Sequence, residues 1–347
     1  MGEIRIRLVD PAAERARILG VLAASLPKAA PPARFDWLYL SNPDGRALVW
    51  LAEHDDGTIL GTSAAHPRRM RVGGDVVRAL NLGDFAIDRS QRALGPALRL
   101  LRATLGPVHD GTYAFSYDFS NAAMHAVYRR MHVNSLGHDE RWMQPVSMTR
   151  LARDKLSNRT LAAVVGAVGD VLLHGRGALH RRARGLDVAR LAGECGDEFD
   201  ALDARLAVGR AVVGVRDAAY LNWRYLRNPV WSHDIVCARA GGRLAGYAVV
   251  RRTAPGTAAL VDLQTESTDV ARALLAGAIE CAAAQDAGAL HVEVLAEGPA
   301  AQMVRMLGFI RRESQAGPVV CRPSDSPHAG TLDAATNWWL IGGDRDV

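Results

Sequence analysis

The feature that most constrains this 347-residue chain is an internal repeat. The segment Trp37-Leu-Tyr39-Leu40-Ser-Asn42-Pro43 recurs as Trp223-Arg-Tyr225-Leu226-Arg-Asn228-Pro229, displaced by 186 residues. Further matches follow in the same order at slowly decreasing displacements: Gly61 with Gly246, Asp84 with Asp262, and Met131-His-Val133 with Leu307-Gly-Phe309. Ordered matches of this kind indicate a duplicated unit that has since lost a few residues. The chain is therefore expected to fold as two similar domains in tandem.

Hydrophobic periodicity predicts more strands than helices in each unit. In the first unit the predicted strands cover 4–9, 47–52, 61–65, 76–87, 113–117 and 142–148, with helices over 14–24, 95–105 and 121–130. Strands that outnumber helices, with glycine where a strand passes into a helix, favour a mixed α/β (α+β) sheet in each unit.

One basic turn of the first unit could bind an anion. The run from Ile87 to Ala97 reads as the end of a strand, a turn with Arg92 and Gly95, and the start of a helix. The start of a helix offers unpaired N–H groups and the positive end of its dipole. Glycine at Gly95 would let a phosphate approach the backbone closely.

The spacing of this turn resembles the Arg/Gln-x-x-Gly-x-Gly/Ala pyrophosphate loop of the GNAT acyl-CoA N-acyltransferase superfamily, whose order of elements also matches each unit. The resemblance implies that an acyl-CoA, most simply acetyl-CoA, is the donor, and it implies no metal. It places the coenzyme against seven residues of the strand and loop: Phe85, Ile87, Arg92, Ala93, Leu94, Gly95 and Ala97. Two positions depart from the family pattern, because Ala93 replaces a common glycine and Pro96 lacks an N–H.

A second family mark is Ser120-Asn121-Ala-Ala-Met-His-Ala-Val-Tyr128-Arg-Arg-Met131, which resembles Asn-x-x-Ala-x-x-x-Tyr-x-x-x-Gly-Phe. Two helical turns separate Asn121 from Tyr128, so both are expected on one side of a helix. The resemblance implies that Asn121 binds the pantetheine arm and that Tyr128 is the general acid beside the sulfur. Here His132-Val133 replaces Gly-Phe.

Transfer to an amine also requires a base or a path to water for the proton. The favoured residue is Asp84, on the strand before the loop, provided that a bulge turns its side chain toward the site. Its match with Asp262 supports another interpretation, in which the carboxylate orients an arginine. Asp118 is the second candidate, followed by His125 and His132.

The second unit has lost the loop. Where the first has Arg92 to Ala97, the second reads Glu266-Ser-Thr-Asp-Val-Ala-Arg-Ala-Leu274, and Val304 stands at the tyrosine position. The predicted organisation is an acyl-CoA-binding GNAT-like domain over 1–150, a helical basic connector over 151–184 and a degenerate GNAT-like domain over 185–347.

Composition agrees with an ordinary globular protein, at 49% hydrophobic and 23% charged residues with a net charge of +5. The four cysteines form no close pair, and the chain has no apolar signal segment or run long enough to span a bilayer. A cytoplasmic location is expected. Basic residues and aromatics do not alternate along one element, so nucleic acid is not the expected partner.

The sequence therefore predicts an N-acyltransferase that moves an acyl group directly to a primary amine of a small molecule, peptide or saccharide. A homodimer is compatible with the sequence. Two alternatives stay open. One is a Fem-like aminoacyl or acyl transferase with a tRNA or carrier-protein donor. The other is a non-catalytic tandem module that binds a ligand.

Overall fold

The computed structural model describes residues 4–88, 94–133, 135–155, 160, 166–170 and 185–345. The strands are β1 (Ile4–Val9), β2 (Leu48–His54), β3 (Ile59–Val72), β4 (Asp75–Ile87), β5 (Phe115–Asp118), β6 (His138–Pro145), β7 (Leu186–Arg190), β8 (Val212–Gly214), β9 (His233–Ala240), β10 (Arg243–Ala254), β11 (Thr257–Thr265), β12 (Ala289–Leu295), β13 (Ile310–Ala316) and β14 (Val319–Cys321). The α-helices are α1 (Arg15–Ser25), α2 (Pro32–Phe35), α3 (Leu94–His109), α4 (Ala122–Arg130), α5 (Met148–Lys155), α6 (Asp197–Ala207), α7 (Ala218–Leu221), α8 (Thr268–Ala284), α9 (Pro299–Met306) and α10 (Ala329–Leu332).

The described strands form two mixed sheets of seven strands. The first sheet has the order β1-β2-β3-β4-β5-β14, with β8 against β3; the second has the order β13-β6-β12-β11-β10-β9-β7. Most neighbours are antiparallel, whereas β4 runs parallel to β5 and β11 runs parallel to β12. The two sheets thus carry the same series of elements, as the repeat predicts.

The two units exchange strands. β6, from the first unit, pairs with β12 and β13 of the second sheet, and β14, from the second unit, pairs with β5 of the first. The strand predicted over 142–148 in the first unit forms as β6, but its hydrogen-bond partners lie in the sheet of the other unit. The domain boundaries predicted at 150 and 185 divide the chain by sequence order. Each sheet, however, contains at least one strand from the other side of these boundaries.

The exchange requires two connecting segments to cross at close range. Leu136 N donates to Pro318 O at 2.6 Å, and Gly317 N donates to Gly137 O at 3.1 Å. A Cβ on Gly317 would overlap the carbonyl oxygen of Leu136. Glycine is needed here because backbone, rather than a flexible side chain, occupies the space.

The duplicated segments meet at the centre of the molecule. Each consists of one short helix that continues into a π-helical turn: α2 with Asp36–Leu40, and α7 with Asn222–Leu226. Their aromatic side chains belong to one buried cluster that contains residues of both units. This shared core joins the two sheets, since burial of large aromatic side chains is strongly favourable.

The connector is described only in part. Residues 166–170 are helical and pass close to the start of α5, where a Cβ on Gly166 or Gly169 would overlap Thr149 or Met148. Asp170 accepts from Met148 N at 2.6 Å and so caps that helix. The basic stretch predicted over 176–184 lies outside the described residues.

Candidate functional site

A bulge in β4 forms the wall of the candidate site. Ala64 pairs with Gly83 and Thr62 pairs with Ala86, so one extra residue stands on β4 between these pairs. Asp84 lies in this bulge with φ +49°, which is uncommon for a residue other than glycine. The bulge that the sequence analysis required for Asp84 to face the site is therefore present.

Asp84 is the acceptor in a buried cluster. Arg34 donates to it twice, from Nη1 at 2.7 Å and from Nη2 at 3.2 Å, and Tyr39 Oη donates at 2.7 Å. Arg34 and Asp84 are 2% and 6% exposed, so water screens the pair weakly. This arrangement matches the alternative interpretation, in which the carboxylate orients an arginine.

The second unit contains an equivalent cluster around Asp262. Arg216 Nε donates to this carboxylate at 2.9 Å, and Tyr225 Oη donates at 3.0 Å. Tyr39 and Tyr225 are equivalent positions of the repeat, as are Asp84 and Asp262. The second unit keeps the aspartate–tyrosine pair although its sequence lacks the residues of the predicted loop, so the pair has a structural role that does not depend on that loop.

A cavity of about 530 Å³ opens beside this cluster. It brings four of the predicted site residues together: Asp84, Phe85, Asn121 and Tyr128. Asp118, Ser120 and Met124 line it as well, and Trp231 reaches it from the second unit. The cavity therefore lies between the two units.

Tyr128 and Asp118 form a hydrogen-bonded pair in this cavity. Tyr128 Oη donates to Asp118 Oδ2 at 2.8 Å, and the tyrosine is 1% exposed. Burial, followed by the negative charge of Asp118, raises the pKa of Tyr128 well above its usual value. The phenol is therefore protonated at neutral pH, as a general acid must be.

A groove of about 710 Å³ continues from the cavity toward α3. The parallel pairing of β4 with β5 ends at Leu82 and Asp118, where β5 itself ends, while β4 continues to Ile87. Ile87 and Ala97 line one side, and Asn121 and Val127 line the other. Asn121 also caps α4, since its Oδ1 accepts from Met124 N at 3.1 Å.

Part of the predicted loop can be placed. Leu94 and Gly95 open α3, and a Cβ on Gly95 would meet no atom of the described residues within 4 Å. As far as the described residues go, a phosphate could therefore approach this helix start. Arg92 and Ala93 lie outside the described residues.

Two residues of the cavity escaped the sequence analysis. Arg34 has no equivalent in the repeat, so no pattern marked it as the partner of Asp84. Trp231, which packs beside the Arg251 guanidinium at 4.9 Å, belongs to the unit predicted to be degenerate. Trp231 comes just after Asn228-Pro229 of the repeated segment, and this position is the sequence feature that could have marked it as a cavity residue.

The remaining candidates do not join this cavity. His125 and His132 are absent from its lining, and burial lowers the pKa of His125. Within the described ranges, no group of three or more His, Cys, Asp or Glu side chains could hold a metal ion. All four cysteines are free and buried. No described helix is long and apolar enough to cross a membrane.

Comparison with solved structures defines the class of fold: the chain has the two-domain GNAT fold of the GCN5-related N-acetyltransferases. It superimposes on such an enzyme from Anabaena variabilis with a TM-score of 0.63 and 12% identity, over 92% of this chain and 72% of that chain. The enzyme from Kribbella flavida gives 0.61 and 16%, over 95% and 73%.

Saccharomyces cerevisiae N-myristoyltransferase, solved with bound myristoyl-CoA, gives a TM-score of 0.60 and 10% identity over 98% of this chain and 86% of that chain. No protein-family model matches the sequence, and no curated protein matches it. At these identities the similarity establishes the fold, which confirms the resemblance drawn from the sequence.

Proposed function

We propose that the first unit is an N-acyltransferase that moves an acyl group from acyl-CoA, most simply acetyl-CoA, directly to a primary amine. The observation that carries this proposal is the path from the first turn of α3, through the groove between the end of β4 and the start of α4, to the Tyr128–Asp118 pair. The path would lead the thioester of a donor to a protonated phenol.

The donor would bind along this groove. The N–H groups at the start of α3, with Leu94, Gly95 and Ala97, would face the diphosphate, helped by Arg92 and Ala93 of the loop. Asn121 would contact the pantetheine arm. Backbone N–H groups of the bulged strand, from Phe85 to Ile87, would polarise the thioester carbonyl. The yeast neighbour with bound myristoyl-CoA supports an acyl-CoA donor.

The amine would enter through the cavity between the units, beside Trp231. Its nitrogen attacks the thioester carbon, and the resulting tetrahedral intermediate collapses by breaking the C–S bond. The proton lost from nitrogen passes to Asp118 or Asp84, and Tyr128 donates its proton to the departing sulfur. Proton return from the carboxylic acid to the tyrosine restores the starting state.

Asp118 is favoured as the base because its carboxylate touches the phenol that must be reprotonated, at 2.8 Å. Asp84 is the competing candidate. Its two carboxylate oxygens already accept hydrogen bonds from Arg34 and Tyr39, so they are less available to an amine.

Calorimetric titration with acetyl-CoA, followed by a transfer assay on a panel of amines, tests the proposal. We expect saturable binding and release of free CoA that depends on an amine. No heat and no thermal shift at millimolar acetyl-CoA would contradict it, and would favour a carrier-borne donor or a non-catalytic ligand-binding protein. Co-purified CoA would count against the carrier-borne donor.

A further inference from the structure

The second unit has a cavity of its own, about 610 Å³ in volume. It is bordered by Thr265 and Glu266 at the end of β11 and by Pro299 and Met303 at the start of α9. In the first unit, the groove is likewise bordered by the end of β4 and the start of α4. The second cavity therefore occupies the equivalent place in the repeat, although the phosphate loop is gone.

One wall presents a cation without a carboxylate partner. The Arg210 guanidinium lies 4.0 Å from the centre of the Trp339 ring, and its Nη1 donates to Gln264 Oε1. No carboxylate in the described part of the chain lies within ion-pair distance of it. Burial, together with nearby Arg216, lowers the pKa of Arg210 to about 10. An anion beside this group would offset the cost of burying its charge.

The aromatic side chain beneath this arginine carries an unused donor. Trp339 is 6% exposed, and its indole Nε1 has no hydrogen-bond partner in the described structure. A buried indole N–H usually has one, since leaving it unpaired costs about 1–3 kcal/mol. Both Arg210 and Trp339 border the cavity.

The acidic residue at the rim does not oppose an anion. Glu266 is paired with Arg205 Nε at 2.6 Å and with Arg243 Nη1 at 2.6 Å. Hydrogen bonding from Arg243 is the main cause that lowers the pKa of Glu266 to about 2. With its charge compensated twice, this carboxylate does not offset the charge of Arg210, which has no direct ion pair among the described residues and feels Asp262 and Asp203 only at longer range.

We propose that this cavity binds a small organic carboxylate, whose oxygens accept hydrogen bonds from Arg210 beside the Trp339 ring. The apolar part of the ligand would pack against Leu206, Val208 and Met303, which also border the cavity. One guanidinium matches a carboxylate of charge −1 better than a phosphate of higher charge. The site is independent of the acyl-CoA groove.

The indole N–H resonance of Trp339 tests this proposal, because it reports on this cavity alone. It is identified in ¹⁵N-labelled protein by its loss in Trp339→Phe. Hexanoate is the probe, with hexanol as its neutral counterpart and inorganic phosphate as the other anion. We expect hexanoate to shift the resonance saturably, while hexanol does not.

Arg210→Gln should weaken hexanoate binding at least roughly tenfold. The matched control is Arg272→Gln, which removes an arginine of the same unit that lies outside the cavity and should leave affinity unchanged. The other indole signals verify that each variant is folded. If Arg210→Gln fails to fold, the comparison of hexanoate with hexanol on the natural protein still tests whether the cavity binds a carboxylate.

Three results would overturn the proposal: no saturable shift at millimolar hexanoate, an equal shift with hexanol, or undiminished affinity in folded Arg210→Gln. Tighter binding of phosphate than of hexanoate would overturn the assignment to a carboxylate.

Discussion

Trp37 and Trp223 donate their indole N–H groups to each other's backbone carbonyl, at 2.8 and 3.1 Å. Their rings stack with centroids 4.9 Å apart. The two residues are equivalent positions of the repeat, so the contact between the units is reciprocal. The repeated segment is therefore the joint between the duplicated halves.

This reciprocity predicts strong coupling. Trp37→Phe and Trp223→Phe should each cost about 1 kcal/mol in unfolding free energy through a lost hydrogen bond. In a double-mutant cycle by urea denaturation, the pair should show an interaction energy of roughly 0.5–3 kcal/mol. Trp50→Phe, a buried tryptophan in another cluster, is the control and should be additive with Trp223→Phe. If the changes in unfolding free energy of the Trp37 and Trp223 variants were additive, the two residues would not be coupled, and the proposed role of the repeated segment would be contradicted.

Gly95→Glu should abolish acyl-CoA binding without loss of stability. No atom of the described residues lies within 4 Å of a Cβ on Gly95, so the new side chain should fit the unliganded protein, but its bulk and negative charge would exclude a diphosphate. Calorimetry measures the loss of acyl-CoA binding, and thermal melting measures the unchanged stability. Gly106→Glu is the matched control, because it adds the same charge to the same helix where a Cβ also meets no atom within 4 Å. Normal binding by Gly95→Glu would remove the loop from the site.

Tyr128→Phe should lower kcat by roughly 10²–10⁴-fold and change donor affinity little, since it removes only the proton donor. Asp118→Asn should have a similar effect and should also change the pH profile of kcat/KM. Tyr113→Phe, which removes a hydroxyl bonded to Arg78, is the control and should leave turnover unchanged. An unchanged rate in Tyr128→Phe would exclude this tyrosine from the mechanism.

Asp84→Asn separates the two candidate bases. It leaves the Arg34 guanidinium buried beside a neutral amide, which should cost roughly 3–5 kcal/mol in unfolding free energy. Turnover of the folded fraction should be affected less than in Asp118→Asn. The opposite result, little loss of stability with a large loss of kcat, would make Asp84 the base.

Gly317→Ala should destabilise the protein by roughly 1–3 kcal/mol, because its Cβ would overlap the backbone where the exchanged strands cross. Gly330→Ala is the control, since a Cβ there meets no atom within 4 Å. Urea denaturation should find the control neutral or slightly more stable. Equal stability of the two variants would argue against a tight crossing.

Stability should fall as pH falls below about 6.5, the usual histidine value. Burial lowers the pKa of His66 to about 4, and burial likewise lowers that of His233 to about 4. The unfolded chain therefore binds more protons than the native protein between these values, so the stability present at pH 7 is lost as pH drops through this window. Each histidine contributes up to ~3 kcal/mol.

His66→Leu should make the fall in unfolding free energy from pH 7 to pH 5 smaller, because the contribution of His66 is removed. Asp139, whose pKa burial raises to about 6, acts in the opposite direction in this window and is unchanged by the substitution. Both ring nitrogens of His66 are buried without a hydrogen-bond partner in the described structure, so the substitution sacrifices no such bond there. An unaltered pH dependence would show that His66 is protonated in the native state.

The sequence by itself determined the duplication, the mixed α/β class and most elements, because these depend on local periodicity and on repeated residues. It also predicted Asn121 and Tyr128 from the family spacing of their helix, and Asp118 as the second candidate base; the structure places all three in the lining of the cavity. What only the tertiary structure decided are contacts between distant segments: the exchange of β6 and β14, the Arg34–Asp84 pair, and the entry of Trp231 into the cavity. No local pattern encodes these contacts, because strand pairing and burial of charge are settled only when the two units pack together.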